Sequence, residues 1–219
     1  MRKIFFILGM LLAAAVAKAD GETPYWEQPE VYAINKLPSR ASLLPYANKA
    51  DALARGESQL VMDISGEWKF HWTATPAEAP EGFEAVGYDD AKWQRVTVPH
   101  DWAIYGPFSI NNDKQNIAIT QDGQKEAMEH AGRTGGLPFV GVGWYRLDFE
   151  APSFEKGKQA TLIFDGAMSH ARVYVNGQEA GYWPYGYNSF HLDVTPYLKA
   201  GEVNELAVRL ENENESSRW

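Results

Sequence analysis

The sequence predicts an all-β fold, an antiparallel sandwich, and three observations carry that prediction. Apolar and polar residues alternate in at least seven short runs, turn residues punctuate the runs, and no long helical pattern competes with them. Trp68, Phe70 and Trp72 alternate with Glu67, Lys69 and His71, and residues 93–98 alternate up to Pro99. Tyr145, Leu147 and Phe149 alternate with Trp144, Arg146 and Asp148, so both runs look half-buried. Residues 161–164 form an apolar run closed by Asp165-Gly166. Ala171, Val173 and Val175 alternate up to Asn176-Gly177, the strongest short hairpin signal. Phe190, Leu192 and Val194 precede the turn 195–198, and Leu206, Val208 and Leu210 follow it. Only residues 47–55 have the pattern of a short helix.

Two segments do not read as regular sheet. Residues 20–58 carry Pro24, Pro29, Pro38 and Pro45 without a sustained period, which predicts an irregular arm over the sandwich, domain proper beginning at residue 59. Residues 109–134 are rich in Asn, Gln, Asp and Lys, and a polar loop of that length inside a domain is usually functional or disordered. It begins close enough to Asp101 to fold over the same mouth.

Residues 1–19 read as a secretory signal: Arg2 and Lys3, an apolar run from Ile4 to Val16, then Ala17-Lys18-Ala19 as a cleavage site. The apolar run is short for a membrane span, so export to a periplasm or the exterior is expected, with no membrane partner. Removing Arg2, Lys3 and Lys18 from 20 basic residues leaves 17 against 29 acidic ones, a net charge of −12 over residues 20–219. Such a surface repels nucleic acid. The chain has no cysteine, so its stability rests on packing and not on disulfides.

Val98-Pro99-His100-Asp101-Trp102 is the most informative stretch for function. Pro99 lacks the N–H that would continue a ladder, so the chain leaves the sheet and presents His100, Asp101 and Trp102 at a strand end. A carboxylate accepts hydrogen bonds from neighbouring sugar hydroxyls, and an indole offers a flat apolar surface to a pyranose. The alternative is structural, with Asp101 closing an Asx turn and Trp102 in the core.

Catalytic constellations are weak. Gly141-Val142-Gly143 lacks the rest of a dinucleotide loop and reads as the start of a strand. The five histidines show no metal-ligand spacing, and His71, His170 and His191 read as solvent-face or pocket-edge groups. Asp89-Asp90 and the Glu211, Glu213, Glu215 run read as solvated acids and not as an acid/base pair.

Six segments in order, Gly66-Glu67-Trp68-Lys69-Phe70, Val98-Pro99-His100-Asp101-Trp102, Gly143-Trp144-Tyr145-Arg146, Phe164-Asp165-Gly166, Val173-Tyr174-Val175-Asn176-Gly177 and Gly186-Tyr187-Asn188-Ser189-Phe190, resemble the N-terminal sugar-binding domain of glycoside hydrolase family 2. Trp26-Glu27-Gln28-Pro29 with Asn35-Lys36 and Pro38 resembles the opening of its β-galactosidase branch, which has Asn and Arg where this chain has Gln28 and Lys36.

The resemblance implies a galactose-binding-like jelly roll over residues 59–219, beside immunoglobulin-like and (β/α)8-barrel domains of the same polypeptide. The catalytic glutamates of retaining hydrolysis belong to that barrel, so no catalytic residue is expected in this chain. The implied ligand is a β-galactoside or oligosaccharide. Asp101 matches the family position that reaches hydroxyls of the non-reducing sugar, flanked by His100 and by Trp102, which anchors the loop. Tyr185 and Tyr187 either contact sugar hydroxyls or pack. Some relatives carry a cation-binding carboxylate after the Gly-Tyr pair, but residues 181–185 contain no acid, so neither a metal nor a cofactor is carried over. Residues 211–219 resemble a segment that continues into another strand, which predicts a jelly roll short of its last strand and a hydrolase fragment. A free-standing carbohydrate-binding module and a structural domain without ligand are the rival readings.

Overall fold

In the computed structural model of the chain, Tyr25 and residues 28–41, 43–102, 141–155 and 157–212 are described, with the backbone alone of 117–119 and 125–127. The expected signal at 1–19, the start of the arm, most of the loop 109–134 and the segment 213–219 lie outside the described residues.

The strands are β1 (Gly66–Thr73), β2 (Gln94–Val98), β3 (Ile117–Ile119), β4 (Lys125–Ala127), β5 (Val142–Glu150), β6 (Thr161–Phe164), β7 (Ala171–Val175), β8 (Gln178–Trp183), β9 (Phe190–Asp193) and β10 (Val203–Glu211). All their pairings are antiparallel. A six-stranded sheet has the order β2-β1-β5-β10-β7-β8, and β6 pairs with β9 in a second ladder. This is the all-β antiparallel arrangement that the alternating runs predict, consistent with a jelly-roll sandwich. β3 and β4 form a short hairpin inside the segment expected to be irregular loop.

The core lies between the two sheets. Trp68, Phe70, Val96, Tyr145, Val173, Val175, Leu206 and Val208 point from the large sheet toward Phe190 and Leu192 of the small one, and all are buried in one cluster. Period-2 alternation puts these residues on one face, and burying them is the main favourable term. β7 and β8 turn through Asn176 and Gly177, at φ of 51° and 80°. A type I′ hairpin turn requires positive φ at both positions. Asn176 also donates to the Tyr197 carbonyl and to Asn204.

The opposite face of the large sheet is not the solvated surface that alternation suggests. Trp144, Val142 and Ala207 are buried there beneath Phe83, with Trp93 and Tyr174 packed at the margin. The connection between β1 and β2 covers them, carrying a 3-10 turn at Pro76–Glu78. Arg146, on the same face of a run expected to be half-buried, is buried beneath the same cover. Its guanidinium pairs with Asp90 at 3.0 Å and Glu205 at 2.6 Å, and donates to the Phe83 carbonyl. Asp90 also approaches Lys69, at 3.5 Å, so it is an ion-pair partner and not a solvated turn acid. Glu211 is buried and paired with Arg209 at 2.5 Å, which likewise removes it from the solvated acids.

The arm is tied to both sheets. Ile34 exchanges backbone hydrogen bonds with Tyr182 of β8, and the Leu37 N–H donates to the His191 carbonyl of β9. The expected short helix is α1 (Lys49–Ala54), capped by Asn48, whose side chain accepts from the Asp51 N–H.

Candidate functional site

β2 ends at Val98, and Pro99 follows through a cis peptide bond. The chain then returns across the inner face of the sheet. His100 sets its ring 4.8 Å from that of Phe70, edge to face, and its Nδ1 hydrogen-bonds the Tyr145 hydroxyl at 2.9 Å. Trp102 lies 24° from parallel with Phe70 at 6.2 Å and is only 5% exposed. A Cβ at Gly143 would sit 2.8 Å from the Trp102 ring, so glycine there lets the indole close on β5. Trp102 is therefore a core residue that fixes the turn, and its indole is not the sugar platform that the strand-end position suggested.

Between these two anchored rings the carboxylate of Asp101 is exposed. Burial lowers the pKa of His100, and the nearby Asp101 charge partly opposes that shift. Burial and the same charge push the Tyr145 phenol above its ordinary value. The turn thus presents a carboxylate beside groups that favour their neutral forms.

Tyr185 and Tyr187 occupy a separate place. They follow β8, whereas Asp101 follows β2, and β2 and β8 are the two edges of the large sheet. Both loops nevertheless reach the same end of the sandwich. Trp102 packs on Gly143, and the register runs from Trp144 through Arg209 and Arg172 to the Ala171–Trp183 pair. The two tyrosines stand 5.5 Å apart, inclined at 54°, on the rim of a cavity of about 270 Å³. The arm supplies the facing wall with Tyr25, Gln28 and Tyr32, and His170 lines the interior.

His170 is 6% exposed, and its Nδ1 hydrogen-bonds the Tyr182 hydroxyl at 2.9 Å. Burial, reinforced by Arg209, lowers its pKa to about 4, and burial raises that of Tyr182 to about 12. Both are neutral near pH 7. Of the two readings left open for His170, solvent face or pocket edge, burial removes the first, and the ring lines the cavity from within. No signal within a single run could have joined it to Tyr25 and Tyr32, because the arm meets β8 across more than a hundred residues. Among the described residues no group of three or more His, Cys, Asp or Glu is placed to hold a metal ion. No helix among them is long and apolar enough to cross a membrane.

An all-β sandwich with a carboxylate turn and an aromatic cavity at one end has the form of a carbohydrate-recognition domain. The family profile "Glycosyl hydrolases family 2, sugar binding domain" matches residues 61–218, and the chain belongs to that family. It is 38% identical over 160 residues to "Beta-galactosidase BoGH2A" of Bacteroides ovatus, covering 72% of this chain and 16% of that protein. It is 33% identical to a "Putative beta-glucuronidase" of Formosa agariphila, covering 71% of this chain and 13% of that one. A crystal structure of a glycosyl hydrolase family 2 member from Bacteroides cellulosilyticus superimposes with a TM-score of 0.53 at 31% identity, over 72% of this chain and 18% of that one. The chain thus spans under a fifth of each of these relatives.

Proposed function

We propose that this chain is the sugar-binding domain of a longer, exported family 2 glycoside hydrolase that removes terminal β-galactosides. The observation that carries this reading is the exposed carboxylate of Asp101, held between His100 and Trp102, whose rings are packed on Phe70. A carboxylate fixed in this way meets a sugar hydroxyl without first losing much conformational freedom.

The hydrolytic step belongs to the barrel that the family resemblance implies. Within this chain, the acids that gather on the outer face, Asp90 and Glu205, neutralise Arg146 and are structural. The galactoside preference is supported by the opening segment of the arm and by the printed name of the 38% identical relative. A glucuronide is the second reading, supported by the name of the 33% identical relative.

The test uses the longer enzyme with chromogenic β-galactoside and β-glucuronide substrates. Asp101→Ala lowers kcat/KM on the preferred substrate by roughly 10- to 150-fold per charge-assisted hydrogen bond lost. Asp101→Asn can still close an Asx turn but exchanges one acceptor for a donor, so it should fold normally and remain impaired. Near-normal activity in both variants overturns the role of Asp101; faster turnover of the glucuronide overturns the galactoside preference. Export is tested by N-terminal sequencing of the natural protein, expected to begin at Asp20.

A further inference from the structure

We infer that the cavity between the arm and the loop after β8 is a second sugar site, distinct from the Asp101 turn, that takes one neutral pyranose ring against the tyrosines of its lining, Tyr32 and Tyr187 among them. Its arm wall, with Tyr25, Gln28 and Tyr32, lies outside residues 61–218, so the match to the family profile does not extend to it.

Four observations lead to this assignment. The first is the character of the lining. Among the described residues, tyrosine, glutamine, proline, valine, methionine, serine, glycine and histidine line the cavity, without an Asp, Glu, Lys or Arg. The titratable groups in contact with its floor, His170 and Tyr182, are held neutral by burial near pH 7. The nearest cation on the arm side, Arg172, is stacked against the Tyr25 ring, so a uronate carboxylate would lose hydration without a cationic side chain among the described lining residues to meet it. A neutral sugar loses less, because its C–H faces pack on aromatic rings while its hydroxyls stay at the open rim or meet polar side chains.

The second observation is exposure. Tyr32 is 75% and Tyr187 65% exposed, and both line the same cavity, one from the arm and one from the loop after β8. Left exposed, these two rings add little to the stability of the fold, whereas a ligand that covers them gains by burying their apolar faces.

The third is rigidity. The His170 N–H donates to the Pro184 carbonyl at 3.0 Å, and the Trp183 indole N–H donates to Asn188 at 3.2 Å, so both ends of the tyrosine loop are tied. On the arm side Tyr25 is held between Arg172, 4.3 Å from its ring, and Tyr182, 4.8 Å away. His170 itself has φ 48°, a left-handed conformation that a non-glycine residue adopts at some cost and that is concentrated at binding sites.

The fourth is size. At about 270 Å³ the cavity lies just below the roughly 300–1,000 Å³ of sites that enclose drug-sized molecules, which suits one ring better than a chain.

Saturation-transfer NMR on the 219-residue chain tests the assignment, with methyl β-galactopyranoside as the neutral probe and methyl β-glucuronide as its anionic counterpart. Transfer should reach the C–H protons of the galactoside, and the glucuronide should bind at least tenfold more weakly. Tyr32→Ala and Tyr187→Ala should each weaken galactoside binding at least fivefold, and Tyr187→Phe should retain it. The comparison is made in the Asp101→Ala background, where the site of the proposed function is disabled and galactoside transfer should persist and still depend on Tyr32 and Tyr187. Absence of transfer, equal binding of the glucuronide, or retained affinity in either alanine variant overturns the assignment. Loss of binding in Asp101→Ala overturns it too, by placing the probe at the other turn, while the activity of that variant in the longer enzyme judges the first site separately.

Discussion

The turn after β2 and the loop after β8 reach the same end of the sandwich but are held by opposite means. The turn His100–Trp102 buries its indole in the main core, rests its half-buried imidazole on Phe70 and leaves Asp101 exposed. The loop 184–188 exposes its tyrosines and is held by backbone and amide hydrogen bonds at its base. The difference separates fold from recognition. In the first region a side chain next to the proposed recognition group is part of the core; in the second the proposed recognition groups pack on each other and not on the core.

The sharpest way to break this contrast is to truncate one ring in each region. Trp102→Ala removes a buried indole packed on Phe70 and Gly143 and should destabilise the fold by about 3–5 kcal/mol in urea unfolding. Tyr187→Ala should change stability by no more than about 0.5 kcal/mol in the same measurement. Comparable losses would show that the loop after β8 is also core.

A second test uses acid. Folding lowers the His170 pKa from 6.5 to about 4, so between those values the unfolded chain holds a proton that the folded chain does not. Stability is then full above pH 6.5 and falls as pH drops toward 4, by up to about 1.4 kcal/mol per pH unit, with Arg209 adding to the penalty for a charged ring. His170→Asn tolerates the left-handed backbone and cannot titrate, so its stability curve should be flatter across that window. An unchanged slope would assign acid sensitivity to other groups.

The smallest effect concerns the support of the first turn. Tyr145→Phe deletes the hydroxyl that bonds His100 while keeping the ring against Phe70, and should cost about 1 kcal/mol. A loss of several kcal/mol would make that hydrogen bond, and not ring burial, the anchor.

The strands were legible because alternation and turn chemistry act locally. Val96 facing inward, the stop at Pro99, the Asn176-Gly177 turn and the start of β5 at Val142 follow from neighbours within a few residues. The second apolar layer was not legible. Trp144 and Arg146 alternate with the core residues, and period 2 says only that they face the other way, not that residues 74–93 cover them. Asp90 looked solvated for the same reason, since its partner Arg146 lies fifty-six residues along the chain. At the site, Asp101 and the two tyrosines could be singled out by type and position. The cavity that gives Tyr187 a counterpart could not, because Tyr32 faces it only after Ile34 pairs with Tyr182.

That pairing affects how the molecule can be cut. Matching to the family profile begins at residue 61, so a fragment trimmed to that boundary would discard the strap that bridges β8 and β9. β8 is an edge strand, and without Ile34 its Tyr182 N–H and carbonyl lose their partners and become a template for self-association. The same trim removes one wall of the aromatic cavity. A boundary drawn by sequence similarity would therefore leave β8 with an unpaired edge and the cavity without one of its walls, while a fragment retaining the strap keeps both.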